Sequence, residues 1–170
     1  MFSYMTAVIA VLMIVDADQY TKLLALKYLS DGTNKPFIKG IMNFSFVENN
    51  GGAWGILAGN RWILLVVTAV VMAVIIFVLI KFGRKSKLLF WALTLVLSGG
   101  IGNMIDRIFR NGYVIDFLHT EFIDFPTFNV ADCAVVIGAG LLILYFVLDT
   151  VKEMKKKKQT DKVADENGED

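Results

Sequence analysis

The chain has 170 residues, of which 56% are apolar and 19% are charged, and its mean hydropathy is +0.59. Ordinary soluble domains are about 45–50% apolar even when glycine is counted, and about a quarter of their residues are charged. Seventeen basic and sixteen acidic residues almost cancel, which leaves no basic surface for nucleic acid, and a single cysteine excludes a disulfide scaffold. These features predict a small integral membrane protein without a nucleic-acid partner.

Four stretches are long and apolar enough to cross a bilayer core, which needs about 20 mostly apolar residues per helix. They cover approximately residues 4–24, 62–80, 88–105 and 131–148. The link between the second and third stretches is rich in Lys and Arg, and so is the chain after the fourth. Because basic residues concentrate on the cytoplasmic side, we expect a multi-pass protein with both termini in the cytoplasm.

The external side of this topology is not free of basic residues. The first external loop and its edges hold Lys22, Lys27, Lys35, Lys39 and Arg61. The same loop alternates apolar and polar residues over positions 37–47, which predicts short strands. Residues 1–150 are expected to form one membrane-embedded domain, and the charged residues 151–170 a disordered cytoplasmic tail.

Polar and ionisable side chains gather at one end of three predicted spans, and each is a site hypothesis because such groups are costly near lipid. With the external loops, the set comprises Asp18, Lys22, Asn49, Gly99, Asn103, Asp106, Arg107, Asp116, Asn129 and Asp132. Any one of them is also explained as a helix end that caps the backbone. Their convergence at the same depth predicts one polar site near the outer face.

Two carboxylates are the candidate catalytic pair, because the only cysteine and the only histidine lack partners at the spacing of a metal or nucleophile site. Asp116 lies in an apolar run, and Asp132 follows the start of the fourth span. Two Asp side chains that come close together share one proton near neutral pH. The ionised member can activate water while the protonated member polarises a carbonyl, which predicts peptide-bond hydrolysis without a covalent intermediate.

Five blocks of this sequence occur in the order typical of one known family. They are Asp18-Gln19-Tyr20-Thr21-Lys22, Asn49-Asn50-Gly51-Gly52-Ala53-Trp54, Gly99-Gly100-Ile101-Gly102-Asn103-Met104-Ile105-Asp106-Arg107, Val114-Ile115-Asp116-Phe117 and Phe128-Asn129-Val130-Ala131-Asp132. Along roughly residues 5–150 the chain resembles the bacterial lipoprotein signal peptidases, also called signal peptidase II.

The resemblance implies an aspartyl endopeptidase of the bacterial cytoplasmic membrane. Such an enzyme removes the signal peptide of a prolipoprotein immediately before a cysteine that carries a diacylglyceryl group. The implied fold is mainly α, with four transmembrane helices, a small extracytoplasmic β-sheet and a short, mobile extracytoplasmic helix in the second external segment. No cofactor or metal is implied. The expected partners are lipid-modified prolipoproteins, membrane lipid and a globomycin-type peptide inhibitor, and a monomer is expected.

The resemblance also implies roles for individual residues. Asp116 and Asp132 match the catalytic dyad, Asn103 and Asn129 would orient its carboxylates, and Arg107 would engage the substrate backbone. The remaining matches would shape or support the site: Asp18, Lys22, Asn49, Gly99, Asp106 and Ala131.

Two other functions are compatible with the hydropathy. A small proton-coupled transporter would use Asp18, Asp106 or Asp132 as a relay, but it would be expected to carry an ionisable group near the bilayer midplane, where each span here is apolar. A non-catalytic scaffold would leave the convergence of polar residues unexplained. Incubation of the purified protein with a diacylglyceryl-modified precursor would separate the three hypotheses.

Overall fold

The computed structural model describes residues 4–52 and 55–166, with side chains described as far as residue 160. The helices and strands follow the chain as α1 Tyr4–Leu29, β1 Lys35–Ile38, β2 Met42–Asn49, α2 Arg61–Phe82, α3 Lys87–Phe109, β3 Val114–Thr120 and α4 Val130–Glu166. A single 3-10 turn, Gly83–Lys85, joins α2 to α3. The protein is therefore mainly helical, with one small sheet.

Three of the described helical segments are long and apolar enough to cross a membrane: residues 61–85, 87–109 and 130–160. These segments contain three of the four predicted spans. α1 has 26 residues, but Asp16, Asp18 and Gln19 interrupt its apolar run. Its assignment as a fourth span stays a prediction.

α3 is the central helix, because it packs against α1, α2 and α4. Its side chains Phe90, Leu93 and Leu97 are buried in one apolar cluster with Ala7 of α1 and Leu79 of α2. Because lipid tails are as apolar as these side chains, close van der Waals packing between the helices, and not transfer out of water, stabilises this cluster. The opposite end of α3 is polar, and it leads directly into the sheet.

The three strands form an antiparallel sheet in the order β1-β2-β3. The strands predicted over residues 37–47 correspond to β1 and β2. β3 pairs with β2 so that Val47 lies opposite Asp116. Ile115 and Phe117 are buried against Ala25 and Leu29, so the sheet packs on the C-terminal end of α1.

The second external segment contains no helix over residues 110–129, so the implied helix in this segment is wrong. Residues 114–120 form β3 instead, because β-branched and aromatic side chains fit a pleated sheet and β2 offers a partner edge. Residues 121–127 continue as an irregular, mostly exposed segment. It returns to the sheet at Phe128, whose backbone exchanges hydrogen bonds with Leu118 at 2.8 and 3.0 Å.

The predicted disorder of residues 151–170 is wrong as far as Glu166, because α4 continues through this part of the chain. Lys, Glu, Met and Gln are good helix formers, and no proline or glycine occurs between residue 151 and Gly168. Extending an existing helix also avoids the cost of nucleating a new one. The side chains of residues 151–160 are exposed.

Candidate active site

Asp116 lies in the middle of β3 and is only 2% exposed. Two amide groups hold its carboxylate. The side chain of Asn129 donates to Oδ1 at 2.6 Å, and the side chain of Asn49, the last residue of β2, donates to Oδ2 at 3.0 Å. Each carboxylate oxygen therefore has a fixed donor, which sets the direction of the whole group.

Asp132 lies in the first turn of α4, where its carboxylate takes part in a reciprocal cap. The backbone N–H of Asn129 donates to Asp132 Oδ2 at 3.1 Å, and the backbone N–H of Asp132 donates to Asn129 Oδ1 at 2.9 Å. This is the pattern of a capping box, with Asn as the N-cap residue. Asn103 of α3 donates to the other oxygen, Oδ1, at 2.7 Å.

The two carboxylates are connected through the side chains of Asn129 and Asn103. Asn129 contacts both Asp116 and Asp132, and its amide nitrogen also donates to Asn103 Oδ1 at 3.1 Å. The structure therefore brings together two acidic groups that are 16 positions apart in sequence. No charged partner of opposite sign touches either carboxylate in the described part of the chain.

Burial raises the pKa of Asp116 from its ordinary value of 3.8 to about 7, because the carboxylate loses hydration. The negative charge of Asp132 adds to this effect. The hydrogen bonds from Asn49 and Asn129 oppose it, because they favour the ionised form. Asp116 therefore keeps a proton over much of the range below neutral pH.

A fully buried ion cluster lies beneath the two carboxylates. The ammonium group of Lys22 is 2.9 Å from Asp18 Oδ2 and 3.0 Å from Asp106 Oδ2, and it also donates to Asn103 Oδ1 at 3.0 Å. Because Asn103 Oδ1 accepts from Lys22 and Asn129, the amide nitrogen of Asn103 is the group left to face Asp132. Lys22 thus fixes which way this amide points.

The acidic members of the cluster also hold the backbone next to each candidate catalytic residue. Asp18 Oδ1 accepts the N–H of Ala131 at 2.9 Å, and Asp106 Oδ2 accepts the N–H of Ile115 at 3.1 Å. Ala131 precedes Asp132 and Ile115 precedes Asp116. α1 and α3 therefore position both carboxylates through the peptide groups directly before them.

Arg107 reaches from α3 towards the loop after β2. Its guanidinium donates to the carbonyl oxygen of Gly51 at 2.9 Å and to that of Asn103 at 3.5 Å. Its Nε is buried and has no partner among the described groups. Arg107 also lines the pocket beside the two carboxylates.

Two glycines allow the helices to approach closely at this point. A Cβ at Gly99 would collide with the carbonyl oxygen of Ala131, and a Cβ at Gly102 would lie 2.7 Å from Asp18 Oδ2. Neither neighbour can move without disturbing a contact of the site. Only glycine fits at these two positions of α3.

A pocket of about 470 Å³ opens over the two carboxylates. Its polar end is formed by Asn49, Asn103, Arg107, Asp116 and Asp132. Its apolar wall comes from α4 and the segment before it: Val135, Val136, Ile137, Phe125, Pro126 and Phe128. The pocket can therefore hold an extended chain with apolar groups while two carboxyl groups face it. Among the described residues, no three His, Cys, Asp or Glu side chains are placed to hold a metal ion.

Every site residue predicted from the sequence lies in this one region, although their catalytic roles stay predictions. No role was predicted for Gln19, whose amide donates to Asp18, Asp106 and the carbonyl oxygen of Gly102. Its position between Asp18 and Lys22 in the first sequence block was the feature that could have indicated this role. Cys133, the residue after Asp132, is partly exposed and lines the pocket.

The fold has close relatives among solved structures. One, a bacterial membrane enzyme determined by the in meso method at 2.3 Å resolution, superposes with a TM-score of 0.80 at 32% identity, covering 85% of this chain and 89% of that one. A second, a bacterial membrane enzyme determined by the same method at 1.9 Å, gives 0.76 at 31% identity, covering 83% and 92%. The fold and site are thus those of a multi-pass membrane enzyme.

The sequence matches define the family. The profile of Signal peptidase (SPase) II matches residues 8–148. The lipoprotein signal peptidase of Enterococcus faecalis is 40% identical over 149 residues, covering 88% of this chain and 92% of the relative. That of Brevibacillus brevis is 43% identical over 139 residues, covering 82% and 93%. The chain belongs to the signal peptidase II family, which confirms the resemblance found in the sequence.

Proposed function

We propose that this chain is an aspartic endopeptidase that removes the signal peptide from diacylglyceryl-modified prolipoproteins, cutting immediately before the lipidated cysteine. Membership of the signal peptidase II family supports a protease acting on prolipoproteins and leaves the transporter hypothesis without support. The observation that carries the aspartic mechanism is the contact of Asn129 with both Asp116 and Asp132. We call these two acidic residues the dyad.

The proposed reaction divides the work between the two carboxyl groups. Asp116, with a pKa of about 7, holds the shared proton and donates a hydrogen bond to the scissile carbonyl oxygen. Asp132, whose negative charge is stabilised by Asn103 and the first turn of α4, takes a proton from water as the oxygen attacks the carbonyl carbon. Asp116 protonates the carbonyl oxygen. When the resulting gem-diol collapses, that proton returns to Asp116, and Asp132 protonates the leaving amine.

The shape of the pocket supports a membrane-anchored peptide as the substrate. The dyad lies at its polar end, while Val136 and Ile137 form part of an apolar wall on a helix of membrane-spanning length. Arg107 lines the same pocket, and its guanidinium engages the backbone of an extended substrate. A peptide that remains attached to lipid can thus reach the dyad without leaving the membrane.

The same proposal includes the arrangement in the membrane. α1 serves as a fourth span, because its 26 residues suffice for a crossing and its ionisable side chains Asp18 and Lys22 are buried within the protein. The basic link 81–87 and the lysines after residue 151 support a topology with both termini in the cytoplasm and with the dyad and the sheet near the outer face. Residues 1–150 act as one domain and as a monomer, and a globomycin-type peptide inhibits by occupying the pocket.

The test is cleavage of a diacylglyceryl-modified precursor by purified full-length protein, followed by mass spectrometry. Asp116→Asn and Asp132→Asn each keep the shape of the side chain but cannot exchange the proton, so each is expected to abolish cleavage. Asp149→Asn removes an exposed carboxylate of α4 and serves as the matched control with normal activity. Normal turnover by either dyad variant would rule out the mechanism.

A further inference from the structure

Five basic residues lie on the external side of the proposed topology, against the usual distribution of charge, and the structure accounts for two of them. Lys22 is buried in the ion cluster beneath the dyad. Arg61 donates to the carbonyl oxygen of Ile108 at 3.1 Å, and its guanidinium lies 5.2 Å from the ring centre of Trp62. Lys27 and Lys35 take part in neither arrangement.

Both of these lysines lie against one aromatic ring. The ammonium of Lys27 is 5.0 Å from the ring centre of Tyr28, and that of Lys35 is 5.8 Å from it. Lys35 also donates to the backbone carbonyl oxygen of Tyr28 at 3.1 Å. Both ammonium groups therefore lie within 6 Å of the centre of one ring at the C-terminal end of α1.

No carboxylate neutralises these charges at contact distance. Within residues 4–52 and 55–160, no acidic side chain lies within ion-pair distance of Lys27 or Lys35. Asp31 is the nearest acidic group along the chain, and its Oδ1 accepts the backbone N–H and the hydroxyl of Thr33, at 3.0 and 2.8 Å. Its charge also interacts with that of Lys35, but without an ion pair at contact distance. Both ammonium groups can therefore still contact an anion directly.

A second cavity, of about 360 Å³, begins at the same place and runs between α1 and the sheet. We call it the α1–sheet groove. Its walls are mainly apolar, from Leu24, Ala25, Leu29, Phe44 and Phe117, and its rim includes Tyr28 and Lys35. The two cavities share no lining residue. From β3 the dyad pocket is lined by Asp116 and the groove by Phe117, and successive residues of a strand point to opposite faces of the sheet.

We propose that the α1–sheet groove binds an anionic phospholipid of the surrounding membrane, with an acyl chain in the groove and the phosphate between Lys27 and Lys35. The charge pattern favours this occupant, because a phospholipid with a net negative charge adds a counter-ion for the two lysines, whereas the phosphate of a zwitterionic lipid is already balanced by its own cation. Phe37, Ile38 and Ile41 are exposed on the sheet, as expected for a surface that lies at the lipid interface. The inference concerns a site separate from the dyad, and it rests on the membrane topology given under the proposed function but not on the proposed chemistry.

The first test compares lipids retained by the full-length protein in native mass spectrometry, after incubation with equal amounts of phosphatidylglycerol and phosphatidylcholine. One phosphatidylglycerol molecule is expected to be retained with a preference of roughly ten-fold or more, since each lysine near anionic lipid contributes about a five-fold preference. Lys27→Gln/Lys35→Gln should remove the preference. Lys39→Gln/Lys152→Gln changes the net charge equally at exposed sites and should preserve it.

Three results would overturn the proposal at this stage. They are the absence of a preference in the wild-type protein, an unchanged preference in Lys27→Gln/Lys35→Gln, and an equal loss in the control double variant. The third would show that overall charge, and not this pair, attracts the lipid. Competition by chain-free glycerophosphoglycerol as effective as that of the intact lipid would also exclude a role for the groove.

The second test locates the acyl chain and needs no lysine substitution. Tyr28→Trp places an indole at the rim of the groove, and phosphatidylglycerol with brominated chains quenches a nearby indole. The variant should lose more fluorescence than the wild-type protein. The wild-type protein is the reference, because it shows how much the native tryptophans alone are quenched. Brominated phosphatidylcholine should quench the added indole less. Equal quenching by both lipids would show that the ring meets bulk lipid only, and would contradict a specific site.

Discussion

Asn129 and Asp132 exchange two hydrogen bonds across the first turn of α4, at 3.1 and 2.9 Å, while the side chain of Asn129 also donates to Asp116 at 2.6 Å. One residue thus caps a helix and joins two acidic groups. These tasks make different demands on the side chain, because a cap needs only an oxygen that accepts, whereas the contact with Asp116 needs a nitrogen that donates.

Two substitutions at Asn129 separate the tasks. Asn129→Ser keeps an N-cap oxygen but loses the amide nitrogen that reaches Asp116, because the serine hydroxyl is on a shorter side chain, and Asn129→Ala loses both groups. We expect Asn129→Ser to be more stable than Asn129→Ala by about 1 kcal/mol, the usual contribution of an N-cap. Both should lose precursor cleavage to the same extent. Thermal unfolding in detergent and a cleavage assay measure the two effects, and activity restored by serine would reduce Asn129 to a helix cap.

The raised pKa of Asp116 predicts a particular dependence of stability on pH. The folded protein has a pKa of about 7 at this group, against 3.8 in the unfolded chain, so between these values the folded state binds more protons. The contribution of Asp116 to stability is then highest at about pH 4 and below, falls as the pH rises, and levels off above about pH 7. The whole effect is at most about 4 kcal/mol, from about 1.4 kcal/mol per pKa unit.

Asp116→Asn removes this titration and provides the reference. We expect the stability of the wild-type protein relative to Asp116→Asn to decline between pH 5 and pH 8, measured as the difference in thermal midpoint in the same detergent. Titrating groups that do not interact with Asp116 contribute equally to both proteins and cancel in the difference, so the difference reports on Asp116 together with Asp132, whose charge acts on it. A difference that stayed constant, or rose with pH, would show that Asp116 ionises in its ordinary range.

The position of the site at one end of the helices could be predicted from the sequence, but the hydrogen bonds within the site could not. Polar residues at the ends of apolar segments already indicated that Asp18, Asn103 and Asp132 meet. The bond from Ala131 to Asp18 joins residues 113 positions apart, and no local pattern encodes which peptide group a buried carboxylate will hold. The role of Gln19 was missed for the same reason.

The fold errors have local causes. The second external segment is short and lies between two long helices, so its apolar run has no clear helical or strand period, and the free edge of β2 decides in favour of β3. After residue 150 the sequence is polar on all sides, which is typical of a solvated chain, but it follows an existing helix without a breaking residue. In both places a neighbouring element determines the structure.

Lys22 should be the most sensitive residue of the buried cluster. Lys22→Met leaves the carboxylates of Asp18 and Asp106 buried without their shared cation, and removal of one partner from a buried ion pair costs roughly 3–5 kcal/mol. Lys27→Met, on the exposed face of the same helix, should change stability by less than about 0.5 kcal/mol. Thermal or denaturant unfolding of the two variants measures the contrast.

A second substitution tests whether the loss is electrostatic. Asp18→Asn removes one of the two buried charges and keeps an oxygen that can accept from Ala131. Lys22→Met/Asp18→Asn should therefore be less destabilised than the sum of the single variants, with a coupling of about 1–3 kcal/mol. Additive losses would indicate that Lys22 acts through packing alone.

Gly99 offers the sharpest test of the close approach between α3 and α4. A methyl group there would overlap the carbonyl oxygen of Ala131, which is backbone and cannot rotate away, and would lie 2.6 Å from Val135 Cγ2. Gly99→Ala must push the start of α4 outwards, so we expect it to lose about 1–3 kcal/mol of stability, as other overpacked sites do. We also expect a large loss of cleavage activity, because Asp132 follows Ala131 and would move with it. Gly140→Ala is the control: a Cβ there meets nothing within 4 Å, and alanine in a helix is favoured over glycine by about 0.5–1 kcal/mol. Cleavage assays and unfolding of both variants in one detergent decide the matter, since normal activity in Gly99→Ala would mean that the dyad does not depend on this contact between the helices.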